Sequence, residues 1–256
     1  MSRIIFSLFF LIVSIKSYTQ QPLPPIGQWR EHLPYKSAID VAAGDNKIFS
    51  ATPYSLFSVD LTDNSVERMS RMTGLSETGV NAVCFDGVNN KLFIAYKSSN
   101  IDIIYRHDIF NIPEIKLDNI AGDKTIFNIF SFGKNFYLST GLGVIVIDGD
   151  KYEVKDSWFI GNSGGQVKTN GFTVDGSFYY AATDEGLKRT AVNTANPADY
   201  LNWENLSDTN GLPAGICRDV VVVQNKVIAL ANDSLFVLNG ANWNLFFTEA
   251  GWQIQK

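Results

Sequence analysis

Apolar and polar residues alternate in short runs along most of this chain, and turns rich in Gly, Asn and Asp separate the runs. Residues 79–86 and 218–223 are examples of such runs. No long stretch carries apolar residues at the three-to-four spacing of an amphipathic helix. Because strict alternation is the signature of a half-buried strand, the pattern predicts an all-β protein.

The strand-like runs form an internal repeat of an apolar strand ending in a small residue, a short polar turn and a second apolar strand. The copies occupy residues 47–60, 91–104, 135–148, 178–188 and 226–238. The equivalent strand-end residues are Ala51, Ala95, Ser139, Ala182 and Leu230. They recur about every 44 residues, with a last interval of about 48, which is the period of a propeller blade.

The repeat predicts a β-propeller with four-stranded blades of about 44 residues, of which about five are present. Residues 79–86 and 218–223 supply first strands, and residues 66–69 and 152–158 supply outer strands. We expect small residues beside the central channel and larger ones, such as Phe49, between blades. The chain is expected to be a truncated part of a seven-bladed propeller, and a complete five-bladed ring is the alternative.

The first residues predict an export signal at 1–19, with Arg3 before an apolar run at 4–15. A membrane anchor is the competing interpretation, but the run would span only about 18 Å as a helix. A Pro-rich lead-in at 20–27 follows, and the propeller domain is expected at 28–256. No transmembrane span is expected in the mature chain.

Composition excludes some functions. The net charge of −5 and the pI near 5.1 argue against nucleic acid as a partner, because phosphate binding requires a basic surface. The chain has two cysteines, Cys84 and Cys217, each in an apolar run. They are either a disulfide or two buried free thiols, and the sequence favours the thiols.

Catalytic motifs are weak. His32 and His107 are the only histidines, and neither stands near a nucleophile at a useful spacing. Together with the two cysteines they lack the paired spacings of a zinc site. The chain is therefore predicted not to be an enzyme and to hold no metal or cofactor. Its binding residues are unknown at this stage, although Tyr54 and Trp203 are hypothetical sugar-stacking residues.

Three short motifs are better explained as turns. Residues 141–143, Gly-Leu-Gly, lack the third glycine and the helix of a dinucleotide site, and a turn with positive φ explains them. Residues 148–150 and 184–186 contain acidic residues but lack the remaining ligands of a calcium loop. Turn chemistry accounts for both.

Gly-Leu-Ser at 74–76 and Gly-Leu-Pro at 211–213, each followed by a strand, resemble the repeats of two-component-regulator propellers. More specifically, residues 27–35, 38–42 and 51–57 resemble the start of the PorZ family of the type IX secretion system. Residues 122–129 and 156–161 continue this resemblance, which covers nearly the whole mature chain.

This resemblance implies a longer parent with two seven-bladed propellers and a carboxy-terminal β-sandwich, of which only the first part is present. It implies location in the periplasm or at the cell surface, associated with the outer membrane. The implied partners are the sortase PorU, PorV and anionic lipopolysaccharide, with a scaffold role in cargo attachment. The alternatives are a glycan-sensing ectodomain of a hybrid two-component regulator and, least favoured, a propeller lyase or hydrolase.

Overall fold

A computed structural model describes residues 32–254, and its sheets belong to the unit Leu33–Lys256. The predicted signal peptide at 1–19 and the lead-in at 20–27 lie outside the described residues. The described chain folds into five four-stranded antiparallel sheets in which consecutive strands are neighbours. This confirms the predicted all-β propeller blades.

Each sheet is one blade, numbered from the inner strand outward. Blade 1 contains β1 (Asp40–Gly44), β2 (Lys47–Ala51), β3 (Leu56–Asp60) and β4 (Val66–Met69). Blade 2 contains β5 (Val80–Asp86), β6 (Lys91–Tyr96), β7 (Ile101–Tyr105) and β8 (Asp108–Ile112), followed by the short helix α1 (Glu114–Leu117). Blade 3 contains β9 (Ile126–Phe132), β10 (Asn135–Thr140), β11 (Val144–Asp148) and β12 (Glu153–Trp158). Blade 4 contains β13 (Thr169–Val174), β14 (Phe178–Thr183), β15 (Gly186–Ala191) and β16 (Glu204–Asn205). Blade 5 contains β17 (Cys217–Val223), β18 (Lys226–Ala231), β19 (Ser234–Asn239) and β20 (Asn242–Phe247).

The strand register confirms the predicted repeat. Each of the five strand-end residues belongs to the second strand of its blade and pairs with the first or second residue of the third strand. The pairs are Ala51 with Leu56, Ala95 with Ile101, Ser139 with Val144, Ala182 with Leu187 and Leu230 with Leu235. The small residues at the first four positions are fully buried, so there is no room for a larger side chain there.

Four apolar clusters lie between successive blades and form the core. Aromatic side chains fill them, for example Phe93 and Phe136 with ring centroids 4.8 Å apart between blades 2 and 3. Tyr137 and Phe172 stack at 4.9 Å between blades 3 and 4. Among residues 32–254 no such cluster joins blade 5 to blade 1. The described blades therefore pack as four successive neighbouring pairs, which is consistent with a partial propeller.

The turn between the second and third strands of blades 1, 3 and 4 begins with threonine. The Thr52, Thr140 and Thr183 hydroxyls donate to the carbonyl oxygens three residues later, at 3.0, 2.9 and 2.7 Å. A side-chain hydroxyl that hydrogen-bonds the backbone of its own turn stabilises a tight turn. This recurring bond stabilises the short turns of these three blades, and the antiparallel strand order places the same turn of every blade at one end of the sheet.

The Ser139 hydroxyl is buried and has no hydrogen-bond partner among the described residues. Alanine occupies the equivalent position in blades 1, 2 and 4. Because a buried unpaired hydroxyl costs about 1–3 kcal/mol, we expect Ser139→Ala to raise the free energy of unfolding by about 0.5–2 kcal/mol. Urea unfolding of the two proteins measures the difference. A loss of stability would show instead that the hydroxyl is bonded in solution.

Candidate binding surface at the channel mouth

The inner strands of blades 2 to 5 each contain a β-bulge near their first residue. A bulge inserts one residue without a partner and changes the direction of its side chain. The inserted residues are Asn81, Phe127, Asn170 and Arg218. They lie at the same end of the blades as the turns between second and third strands, and we call this end the mouth face.

Two of these side chains tie successive blades together. The Asn81 amide donates to the carbonyl oxygen of Ile126 at 2.6 Å, and the Asn170 amide donates to that of Cys217 at 3.0 Å. In both cases the acceptor is the first residue of the next inner strand. These amides therefore have a structural role, because they satisfy backbone groups that the bulge removes from the ladder.

Phe127 and Arg218 occupy the same bulge position with different chemistry. The Lys168 ammonium lies 4.5 Å from the centroid of the half-buried Phe127 ring, within cation–π range. The Arg218 guanidinium donates to the Asp233 carboxylate at 2.5 Å. The blade 3 and blade 5 sides of the mouth face therefore both carry cations, but Arg218 is already paired.

Lys168 also acts on Asp123, a carboxylate in the loop before blade 3. The Thr125 hydroxyl and N–H, both donating to the Asp123 carboxylate, hold the pKa of that carboxyl below its usual value, and Lys168 adds to the effect. Asp123 therefore remains charged at neutral pH. Asp123 and Lys168 therefore place opposite charges near each other on this part of the mouth face.

A pocket of about 370 Å³ opens on the mouth face between blades 4 and 5. Its lining combines hydrogen-bonding and apolar side chains, namely Lys168, Asn170, Asp184, Ile216, Arg218, Leu230 and Ile254. A second pocket of about 450 Å³ lies along the inner strands of blades 1 to 3 and includes Asn81 and Phe127. Donors, acceptors and apolar surface together suit recognition of a polar ligand or a protein loop.

The two hypothetical sugar-stacking residues differ in position. Tyr54 lies in a mouth-face turn, is 56% exposed and has the Lys97 ammonium 5.8 Å from its ring centroid. Trp203 is buried, its indole N–H donates to the carbonyl oxygen of Pro197 at 2.8 Å, and its ring packs on Trp158 at 6.1 Å. The hypothesis for Trp203 is therefore wrong, because its ring is part of the core, and only Tyr54 is available to a ligand.

The cysteines and histidines do not converge. Cys84 lies on β5 and Cys217 on β17, in different blades, and both are free thiols. Burial raises the pKa of Cys84 to about 11 and that of Cys217 to about 12, so both remain protonated at neutral pH. His32 is exposed, and His107 lies in the turn after β7. Within residues 32–254 no group of three or more His, Cys, Asp or Glu side chains could hold a metal ion.

The other motifs are turns or blade connections, as predicted. Asp148 accepts hydrogen bonds from the N–H groups of Asp150 and Lys151, at 3.0 and 3.1 Å, and so closes the turn after β11. Gly143 has a φ of +143°. The described part of the chain has no helix that is long and apolar enough to cross a bilayer.

The bulge residues were not identified from the sequence. Alternation finds a strand but does not show where an inserted residue changes which face its neighbours occupy. Their common feature is position: each is the second residue of the first strand of its blade, where a polar or aromatic residue interrupts the run.

The family described as "TSS9, PorZ, N-terminal beta-propeller domain" matches residues 48–204. None of the curated proteins searched matches the chain. A solved structure of PorZ, a bacterial surface component of the type IX secretion system of Porphyromonas gingivalis, is 22% identical with a TM-score of 0.72. It matches 81% of this chain, but the match covers only 28% of the length of that protein.

Sensor ectodomains are similar in fold. The extracellular domains of two putative hybrid two-component systems from B. thetaiotaomicron have TM-scores of 0.60, with 11% and 14% identity. They match 77% and 81% of this chain and are covered over 27% and 29% of their own length. At this identity they show the propeller fold alone. Because the family match extends over more than half of the chain, this protein belongs to the PorZ N-terminal β-propeller family of the type IX secretion system.

Proposed function

We propose that this chain is a non-catalytic binding module of the type IX secretion system that assists the cell-surface sortase complex. In this role it contacts the sortase PorU and its partner PorV, which attach cargo to anionic lipopolysaccharide. It acts after export, in the periplasm or at the cell surface beside the outer membrane. The observation that carries this proposal is the family match over residues 48–204, which includes most of blades 1 to 4.

The mouth face supports a protein partner over direct binding of an anionic glycan. An anionic ligand requires several cations that are not already neutralised, but of the two cations that line the mouth-face pocket, Arg218 is paired with Asp233, which leaves Lys168. The neighbouring Ile216 is 48% exposed and lies beside Lys168 and Asp184 in the mouth-face pocket. A mixed surface with an apolar centre and charges of both signs is typical of a transient protein interface.

Charge reversal on the mouth face tests this proposal. We expect Lys168→Glu with Arg218→Glu to reduce capture of a purified PorU–PorV complex at least tenfold, because like charges across an interface oppose association. The matched control is Lys151→Glu with Lys155→Glu, which makes the same charge change at exposed positions in and beside β12. Capture is measured by surface plasmon resonance with the full chain immobilised. Absence of capture by the unchanged protein, or equal capture by both double variants, would contradict the proposal.

A glycan-sensing role, as in a hybrid two-component regulator, is the second candidate. The exposed Tyr54 ring beside Lys97 and the Phe127 ring beside Lys168 favour it, because aromatic faces stack on sugars. This role requires a membrane helix and a signalling domain downstream in the parent gene. Binding of neutral oligosaccharides that Tyr54→Ala abolishes, without capture of PorU–PorV, would favour the sensor.

A further inference from the structure

The first two clefts between blades can be compared position by position. In blade 2, Phe110 on β8 pairs with Ile103, which pairs with Phe93. In blade 1 the same row contains Glu67 on β4, then Ser58, then Phe49. Phe49 and Phe93 both stand two residues before the strand-end alanine of their blade. The outer part of the row is therefore aromatic and aliphatic in blade 2 but polar in blade 1.

Aromatic rings close the cleft between blades 2 and 3. Phe110 stacks face to face on Tyr152, with ring centroids 3.9 Å apart and an interplanar angle of 2°. Tyr152 is the last turn residue before the fourth strand of blade 3. The buried Lys91 ammonium lies 5.3 Å from the Tyr152 ring centroid and donates to the carbonyl oxygen of Gly149 at 2.5 Å and to Asp150 at 2.9 Å.

The cleft between blades 1 and 2 lacks this closure. His107 is the last turn residue before the fourth strand of blade 2, where blade 3 has Tyr152, and it faces the cleft with Glu67. An open pocket of about 290 Å³ results, which we call the first lateral cleft. Its apolar wall consists of Phe49, Met69, Leu75, Phe85, Leu92, Ile104 and Ile109. Its polar rim consists of Asp45, Lys47, Glu67, Thr73, Asn90, Arg106 and His107.

One cation of the rim, Arg106, forms no ion pair with another described residue. Lys47 pairs with Glu67 at 3.5 Å across the blade 1 side. On the blade 2 side the Arg106 guanidinium lies 5.0 Å from the Tyr105 ring centroid and makes no ion pair with any residue in 32–254. Arg106 is therefore available to a carboxylate that arrives with a ligand.

We propose that the first lateral cleft is a peptide-binding site that takes one aromatic side chain of an extended segment, with an acidic residue next to it. The aromatic ring occupies the space that the Phe110–Tyr152 pair fills in the neighbouring cleft, and the acidic residue pairs with Arg106. The cleft is large enough, since an apolar cavity of about 150 Å³ already holds a benzene ring. This site is separate from the mouth face and does not depend on the proposed function.

The blocked peptide acetyl-Gly-Gly-Phe-Asp-Gly-Gly-amide is the test ligand. We expect it to bind the full chain with a dissociation constant between about 10 µM and 1 mM, measured by NMR titration of the labelled protein. Replacing Phe by Ala in the peptide should weaken binding at least tenfold, because the ring supplies most of the buried apolar area. Replacing Asp by Asn should weaken it about threefold to tenfold.

Two protein variants localise the site. Glu67→Phe with His107→Tyr installs the aromatic pair of the neighbouring cleft, so we expect peptide binding to fall at least tenfold. Glu153→Phe with Lys151→Tyr adds the same residue types at exposed positions on blade 3 and should leave binding unchanged. Arg106→Gln is a surface change that should remove the difference between the Asp and Asn peptides.

A crosslink gives a readout that does not depend on variants. A peptide with p-benzoylphenylalanine in place of Phe should crosslink to Met69 or its neighbours in the cleft, as mass spectrometry of the digest would show. No binding at 5 mM peptide would overturn the proposal. Crosslinks to another surface, or equal binding by the closed and control variants, would also overturn it.

Discussion

Replacing Asp102 with alanine is expected to lower the free energy of unfolding by about 3–5 kcal/mol, because several buried donors lose their acceptor at about 1–3 kcal/mol each. The Asp102 side chain, on β7, is completely buried. One carboxylate oxygen accepts from the Ser76 N–H at 2.8 Å and from the Tyr96 hydroxyl at 2.5 Å. The other accepts from the Ser76 hydroxyl at 2.7 Å and from the Asn111 amide at 2.9 Å. Removal of the carboxylate leaves the Ser76 N–H, the Ser76 hydroxyl and the Tyr96 hydroxyl without this acceptor, whereas the Asn111 amide still donates to Asn100 and to the carbonyl oxygen of Ile101.

The network also explains why the tyrosine stays a donor. Burial, followed by the charge of Asp102 and its hydrogen bond, raises the pKa of Tyr96 well above its usual value. The hydroxyl is therefore protonated at any physiological pH and is dedicated to the carboxylate. Because Ser76 belongs to the connection between blades 1 and 2, Asp102 attaches that connection to the sheet it leads into.

Urea unfolding followed by circular dichroism measures the effect, with Asp108→Ala as the control. Asp108 is an exposed carboxylate on β8 of the same blade, and its loss should change stability by less than about 0.5 kcal/mol. Asp102→Asn keeps one acceptor oxygen, so we expect it to lower the free energy of unfolding by less than Asp102→Ala does. A loss below about 1 kcal/mol for Asp102→Ala would mean that its donors find water instead.

Repetition made the propeller predictable from the sequence. Five copies of one hairpin specify five blades, and the small residues Ala51, Ala95 and Ala182 are buried because every blade narrows at the same place. The Gly-Leu motifs were also predictable, because local backbone geometry requires the glycine. Gly74 ends a short helical turn with a φ of +112°, and Leu75 then packs between blades 1 and 2.

Departures from the repeat were harder to predict, because each depends on a partner distant in sequence. The residue that follows the partner of the strand-end alanine is Asp102 in blade 2 and Lys188 in blade 4, and both are buried. The Lys188 ammonium donates to the carbonyl oxygen of Ile160 at 2.7 Å and to Glu185 at 2.7 Å. Each charged side chain thus bonds the connection that leads into its own blade. In the sequence, a charged residue at this position shows only as an interruption of an apolar strand.

Trp203 shows the same limit for the candidate site. The sequence predicts that Trp203 lies in a loop and is open to a ligand. In the structure, however, the long connection after β15 folds back and buries the Trp203 ring against Trp158. The mouth face arises from bulges that depend on pairing with the second strand, as at Asn170 and Arg218. Pairing register is a tertiary property, so the sequence predicted the blades and not the residues they present.

Gly143→Ala is expected to lower the free energy of unfolding by about 3–5 kcal/mol, for two reasons that a control can separate. Gly143 has a φ of +143°, a conformation that costs about 1–3 kcal/mol for a residue with a side chain. In addition, a Cβ at this position would lie 2.2 Å from the carbonyl oxygen of Trp158. Relief of that overlap must move β12 away from β11, where Val144 pairs with Trp158. Overpacking of this kind adds about 1–3 kcal/mol.

Gly176→Ala isolates the conformational part of this effect. Gly176 also has a positive φ, of +96°, but a Cβ there would meet no atom within 4 Å. We therefore expect a loss of only about 1–2 kcal/mol for Gly176→Ala. Chemical unfolding of both variants gives the comparison, and tryptophan fluorescence reports whether the surroundings of Trp158 change in Gly143→Ala alone. Equal losses would show that backbone conformation accounts for the whole effect and that β12 adjusts without strain.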